Sequence, residues 1–333
     1  MEEYPIAKIP DTAHWSENFA YACFDAQTNI GLFCHIGRWR RDPNLWREVV
    51  TVALPDRTVL VHRAIGNALA TQSGPGGSNL AIGISEPGPR FALRFLGGVR
   101  RIEENALTDE PLLRDGPHYR LELAIDYAGI TPVWDISAAG HTTEFMGAGH
   151  VEQFGRFTGT ITIDDERYIL DTIGNRDHSR GPRVLNSNKR HSWLHGKLDD
   201  GRLFQLYEAE VHGREGPAYA EANVVIDGKA HKAEAVIHDK LPMTDNLHLI
   251  REPVRITLDY AGGEIDVTAI DFPHTTTMQS TSPNDMYVGR RQESGAQNTM
   301  VIEQSVLFRT SQGGAGYGHM ERLVPGVLLA DPA

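Results

Sequence analysis

Residues 171–183 read DTIGNRDHSRGPR, and they gather Arg176, Asp177, His178, Arg180 and Arg183 into one short stretch. A histidine beside a carboxylate moves protons near neutral pH, and a guanidinium stabilises charge that develops on oxygen. The stretch therefore reads as a catalytic group: His178 as acid or base, Asp177 orienting it, and Arg176 and Arg183 holding the site. The same residues would serve equally as a clasp, an Arg–Asp–Arg network of charge-assisted hydrogen bonds tying one barrel to the other. Strand alternation bears on the choice, because an extended backbone puts Arg176 and His178 on one face and Asp177 and Ser179 on the other. Gly181 and Pro182 offer a place for a bulge, which would bring Asp177 and His178 together.

Other residues are candidates for lining a pocket. In GGAGYGHMER, alternation places Tyr317, His319 and Glu321 on one strand face, where they present a phenol, an imidazole and a carboxylate. Gln153 and Gln304 fall on the inward, apolar face of two similar strands, VEQFGRFT and IEQSVLFR. Glu152 and Glu303 fall on the opposite face, and are expected to meet solvent or another domain rather than a pocket. Trp193 is a candidate pocket wall; Trp15, Trp39 and Trp46 read as core or barrel-end residues. His191 and His195, if on a strand, sit about 13 Å apart and cannot share a metal. There is no HExxH, P-loop or GxSxG, and GPGGSN (residues 74–79) lacks the strand and helix that would aim its amides at phosphate, so it reads as a mobile loop. No metal and no cofactor are expected.

These residues need a frame of strands to place them. Short runs rich in Val, Ile, Thr, Phe and Tyr recur from Phe19–Phe24 to Gly316–Leu323, separated by Asp- and Gly-bearing turns such as TIDDERY and LDDGRLF. Helix is scarce; the segment DPNLWREVV is the best helical candidate. Two echoes link the halves: LELAIDYAG ending at Gly129 with VRITLDYAG ending at Gly262, and VEQFGRFT from Val151 with IEQSVLFR from Ile302. They imply duplication of a β-rich unit, with residues 1–185 and 186–333 as the two domains. Units of this many antiparallel strands close into barrels, which removes exposed edges. The expected fold is all-β, with two consecutive antiparallel barrels.

The 333 residues carry a net charge of −12, which disfavours nucleic acid and anionic membrane as partners. Cys23 and Cys34 are too few for a disulfide framework, and no apolar run is long enough to span a membrane, so a cytoplasmic protein is expected. HVEQFGRFTGTITIDDERYILDTIGNRDHSRGPR, together with YGHMER, resembles the two-domain lipocalin-like proteins related to carotenoid hydratase, the hydroxyneurosporene synthases. Their bacterial relatives carry a strand of the type GxRDHSWGxR, and here Arg180 stands in the place of the tryptophan. The resemblance implies two lipocalin-like barrels and cofactor-free chemistry on apolar terpenoid or polyketide-like molecules. The expected function is thus a lyase, hydratase, isomerase or cyclase acting by general acid–base catalysis on a hydrophobic small molecule. A non-catalytic carrier of an apolar ligand is the alternative, and a homodimer is an allowed assembly.

Overall fold

The computed structural model describes residues 3–12, 15–39, 42–67, 73–109, 117–137, 148–182, 188–211, 215–239, 251–281, 285–288 and 298–325. The first sheet contains β1 (Trp15–Asp25), β2 (Ile30–Arg38), β3 (Trp46–Ala53), β4 (Thr58–Gly66), β5 (Leu80–Glu86), β6 (Arg90–Glu103), β7 (His118–Gly129), β8 (Trp134–Asp135), β9 (Gly149–Ile163) and β10 (Glu166–Pro182). A short helix, α1 (Glu104–Asp109), follows β6. The second sheet contains β11 (Asn188–Leu198), β12 (Leu203–Val211), β13 (Tyr219–Ile226), β14 (Lys229–Ile237), β15 (Val254–Tyr260), β16 (Gly263–Thr281), β17 (Asp285–Val288), β18 (Asn298–Thr310) and β19 (Ala315–Pro325).

Both sheets close. In the first, β1-β2-β3-β4-β6-β7-β9-β10 run antiparallel in order and β10 returns to pair with β1, while β5 and β8 are side pairings. In the second, β11 to β16, β18 and β19 do the same, with β19 returning to β11 and β17 on the side. The chain passes from one sheet to the other between Pro182 and Asn188. The echo of VEQFGRFT and IEQSVLFR joins β9 to β18, the seventh strand of each ring. The echo of LELAIDYAG and VRITLDYAG does not correspond in this way, because it joins the sixth strand of one ring, β7, to the fifth of the other, β15.

Burial shows where the two barrels meet. β6, β7, β14 and β15 alternate between buried and exposed, as strands with one wet face do. By contrast β1, β2, β3 and β12 are buried along nearly their whole length, because each has a barrel interior on one side and the other barrel on the other. Phe19, Tyr21, Leu32, Phe91, Tyr127 and Phe157 pack inside the first barrel. Phe204, Val224, Ile256, Val306, Phe308 and Met320 fill the second. A further cluster lies between them, joining Ala20, Ala22, Phe33 and Val49 of the first barrel to Trp193, Tyr207, Met278 and Val301 of the second. Each large apolar side chain buried at this seam contributes roughly 1.5–3 kcal/mol, so the barrels are held together by a core of their own.

Two local expectations are corrected. The segment DPNLWREVV is not helical: Asp42 accepts the Asn44 amide at 3.1 Å to make a turn, and the chain then enters β3 at Trp46. The β-branched Val49, Val50 and Val52 favour that strand over a helix. The glycine-rich loop proves to be a carboxylate cradle inside the first barrel. The amides of Asn79 and Leu80 donate to Glu48 at 2.8 and 3.0 Å, and a Cβ on Gly77 would lie 2.0 Å from a Glu48 oxygen. Only glycine lets the backbone come that close.

Candidate active site

The strand carrying DTIGNRDHSRGPR runs through Arg180 without a bulge. Its register is continuous against both β1 and β9, with Ala20 opposite Asp177, Phe19 opposite His178 and Glu152 opposite Asp177. Gly181 adopts φ 130°, but this falls beyond the cluster and leaves the alternation of Arg176, Asp177 and His178 intact. Asp177 and His178 therefore point to opposite sides of the barrel wall, and the expected Asp177–His178 couple does not form. Arg183 lies outside the described residues.

Arg176 and His178 point into the first barrel, where they hold the N-terminal segment. The Arg176 guanidinium donates two bonds to Glu3, at 3.0 and 2.6 Å, and a third to Gln153 Oε1 at 3.0 Å, while lying 4.6 Å over the Phe91 ring. His178 stacks on Phe19 with centroids 3.8 Å apart, and its nitrogens meet Glu3 at 3.3 Å and Glu17 at 3.4 Å. Glu17 also accepts from Arg38 at 2.9 Å and from the amide of Ile6. Burial alone would raise both carboxyls, but His178 and Arg176 carry Glu3 down to about 2, and His178 and Arg38 hold Glu17 below the usual carboxylate range. Gln153 is an inward residue as expected, yet it grips Arg176 and the carbonyl of Thr131 rather than lining a pocket. This part of the stretch clasps the N-terminal segment inside the first barrel and does not tie one barrel to the other.

Asp177 points the other way, into the seam, where the titratable side chains are concentrated. There His150 Nε2 lies between Asp177 and Glu152, 3.1 Å from the latter. Glu152 in turn accepts the Trp193 indole N–H at 3.0 Å and the Asn175 amide at 2.7 Å, and Asn175 reaches Gln205 of β12 at 3.0 Å. Sequence alternation put Glu152 and Glu303 away from the barrel interiors, and both are buried against the opposite barrel, the domain-contacting alternative.

From the second barrel, rows of paired residues run across the seam. Glu303, Glu321, Trp193 and Tyr207 are successive neighbours on β18, β19, β11 and β12, and so are Ser305, His319, His195 and Gln205. His319 Nε2 lies 2.6 Å from Glu303 Oε2, and its ring stacks with His195 at 5.4 Å and with Phe33 of the first barrel at 6.3 Å. Burial pushes Glu303 up to about 8 and Glu321, beside it, well above the usual range. Burial also lowers His319 to about 4 and, with His319 nearby, drives His195 well down. Burial thus disfavours the charged form of both partners, the Glu303 carboxylate and the His319 imidazolium.

Glu303 and His319 open onto a cavity of ≈ 20 Å³ that is also lined by Phe33, Thr51, His274, Gln304 and Ser305. That volume suffices for one water molecule. Of the residues expected at a pocket, His319 and Gln304 reach this cavity. Trp193 stands at its edge, 5.8 Å from the His319 ring, and Tyr317 lies at the end of the seam beside Thr172 and Phe24. Sequence alternation misses Glu303 as a pocket acid because it points to the inward face, and Glu303 lies on the other. Only the partner barrel makes its outward face an interior.

The family model that matches this chain spans residues 3–322 and is described as a domain of unknown function, DUF7064. The chain belongs to that family. No curated protein matches it significantly. Among solved structures it is similar to an AttH candidate from Nitrosomonas europaea, at TM-score 0.58 and 14% identity, covering 96% of this chain and 94% of the other. Kievitone hydratase from Nectria haematococca is similar at TM-score 0.51 and 12% identity, with 93% and 88% covered. CghA is similar at TM-score 0.55 and 10% identity, with 97% and 95% covered. At such identities the likeness is one of fold, and it extends over both barrels.

Proposed function

We propose that the protein is a hydratase or hydro-lyase that acts on an apolar, unsaturated small molecule by general acid–base catalysis, without a cofactor, at the seam between the barrels. The observation that carries this reading is the Glu303–His319 pair, an acid protonated at neutral pH and a neutral base 2.6 Å apart on one water-sized cavity. Hydration of a double bond needs those three parts. Glu303 gives its proton to one alkene carbon, water bonds to the other, and the proton that the water loses goes to His319. The short hydrogen bond then returns that proton to Glu303. Elimination of water follows the same path in reverse. The fold shared with kievitone hydratase, which by its name adds water, supports the reading.

Arg176 and His178 are assigned to the clasp and Asp177 to the seam wall, so the proton-transfer role passes from His178 to Glu303 and His319. The cavity is too small for the substrate, and the seam must part to admit it, with Phe33 and Trp193 as apolar walls. A carrier is less well supported, since the first barrel interior is filled by its own aromatic side chains. The test is incubation with a panel of prenylated and polyketide-like alkenes in ¹⁸O-labelled water, read by mass spectrometry as gain of one labelled water. Glu303→Gln should slow the reaction roughly 100- to 10,000-fold while remaining folded. A wild-type rate in Glu303→Gln would overturn the assignment.

A further inference from the structure

A second cluster at the seam has the makings of a metal site. His150 and Glu152 lie two residues apart on β9 and so share a face, and Asp177 is the direct partner of Glu152 across β9 and β10. One ligand atom from each, the imidazole Nε2 and two carboxylate oxygens, falls within 4.8 Å of the others. His150 and Glu152 are fully enclosed, and the Asp177 side chain is 14% exposed, which leaves a way in.

The carboxylates are also held from behind. Glu152 Oε2 accepts from Trp193 and Asn175, leaving Oε1 turned to His150, and Asp177 Oδ1 faces the Ser179 hydroxyl at 3.3 Å, leaving Oδ2 turned to His150. Such outer partners fix ligand orientation in metal sites. One imidazole and two carboxylates match the borderline first-row divalent ions better than Mg²⁺ or Ca²⁺, which prefer oxygen alone. The opposite edge of the cluster is Trp193, a residue of the other barrel.

We propose that His150, Glu152 and Asp177 bind a divalent first-row transition ion such as Zn²⁺, which braces β9 and β10 against Trp193 and so stiffens the seam. The ion takes the place of the proton between the imidazole and the two carboxylates. The ion is a structural brace, separate from the Glu303–His319 pair.

The experiment uses the full chain, stripped with chelator and dialysed. Co²⁺ is titrated in with visible absorption as the readout, and Zn²⁺ by calorimetry with thermal unfolding in parallel. Expected are one ion per chain, a d–d band displaced by Zn²⁺ and a higher melting temperature. The isosteric Asp177→Asn and Glu152→Gln should abolish the band, and Trp193→Phe, which removes an outer partner only, should weaken binding roughly 10- to 100-fold. Circular dichroism of each variant separates lost binding from lost fold, and the Trp193→Phe titration stands on its own if both ligand variants unfold. No binding at millimolar metal would overturn the proposal and leave His150 as an imidazolium bridging two carboxylates. Binding that none of the three substitutions changes would overturn it equally.

Discussion

Replacing Glu3 by glutamine should destabilise the protein far more than a change in an N-terminal segment ordinarily would. The Glu3 carboxyl is carried from 4.5 to about 2 in the folded state, and at about 1.36 kcal/mol for each tenfold change in proton affinity this corresponds to about 3 kcal/mol. The side chain is 9% exposed, so little of this is lost to screening. The figure agrees in size with the roughly 3–5 kcal/mol expected when one partner of a buried ion pair is removed, here leaving Arg176 uncompensated. The folded value is depressed, so the stabilisation is present above about pH 4.5 and is lost as pH falls toward about 2. Thermal unfolding followed by circular dichroism at pH 7 should show Glu3→Gln melting about 6 to 12 °C below wild type, at 2–4 °C per kcal/mol for a barrel of this size. The gap should close as the pH is lowered from 4.5 to 2. A melting temperature within 2 °C of wild type at pH 7, on the same scale of roughly 2–4 °C per kcal/mol, would show that the Arg176–Glu3 contact does not hold the segment.

Other outcomes follow from the same geometry. Gly77→Ala sets a methyl 2.0 Å from a Glu48 oxygen and should cost roughly 1–3 kcal/mol, read as a lowered denaturant midpoint with unchanged slope. Glu303 is protonated in the folded protein up to about pH 8 but ionises near 4.5 when unfolded. Its contribution to stability is therefore greatest below 4.5 and is lost as pH rises through 8, and Glu303→Gln should flatten that part of the stability–pH curve. His178→Gln should leave turnover near wild type while lowering the melting temperature, the reverse of a catalytic histidine. Equal loss of rate in His178→Gln and Glu303→Gln would contradict the division between clasp and site.

The barrels were legible in the sequence because a strand bounded by Asp–Gly turns leaves a local signature, and alternation put Arg176 and His178 on one face and Asp177 on the other. What alternation cannot say is which face matters. For an isolated barrel the lined side is the inside, and that rule points to Gln153 and Gln304. In a pair of barrels packed together the outer faces become a second interior, and the burial that shifts Glu152, Glu303 and His319 comes from the facing barrel, with Trp193 against Glu152 and Phe33 against His319. The cluster of His150 with Asp177 was hidden for the same reason, since its members come from two strands brought into register. Glu3 gave no signal: an acidic residue near a terminus is ordinarily solvated, and only the closed barrel supplies the guanidinium that draws it in. The helical reading of DPNLWREVV failed where a turn residue, Asp42, sits before a β-branched run.

The protonation state of Glu303 decides the proposed chemistry most directly. Isotope-edited infrared spectroscopy of carboxyl-labelled protein, taken as the difference between wild type and Glu303→Gln, isolates the C=O stretch of this one group across pH. A protonated-acid band that persists at pH 7 and disappears near 8 is the predicted result. A band that gives way to carboxylate near 4.5, the ordinary value, would mean that the seam holds no acid at neutral pH, and the proposed chemistry would fall with it.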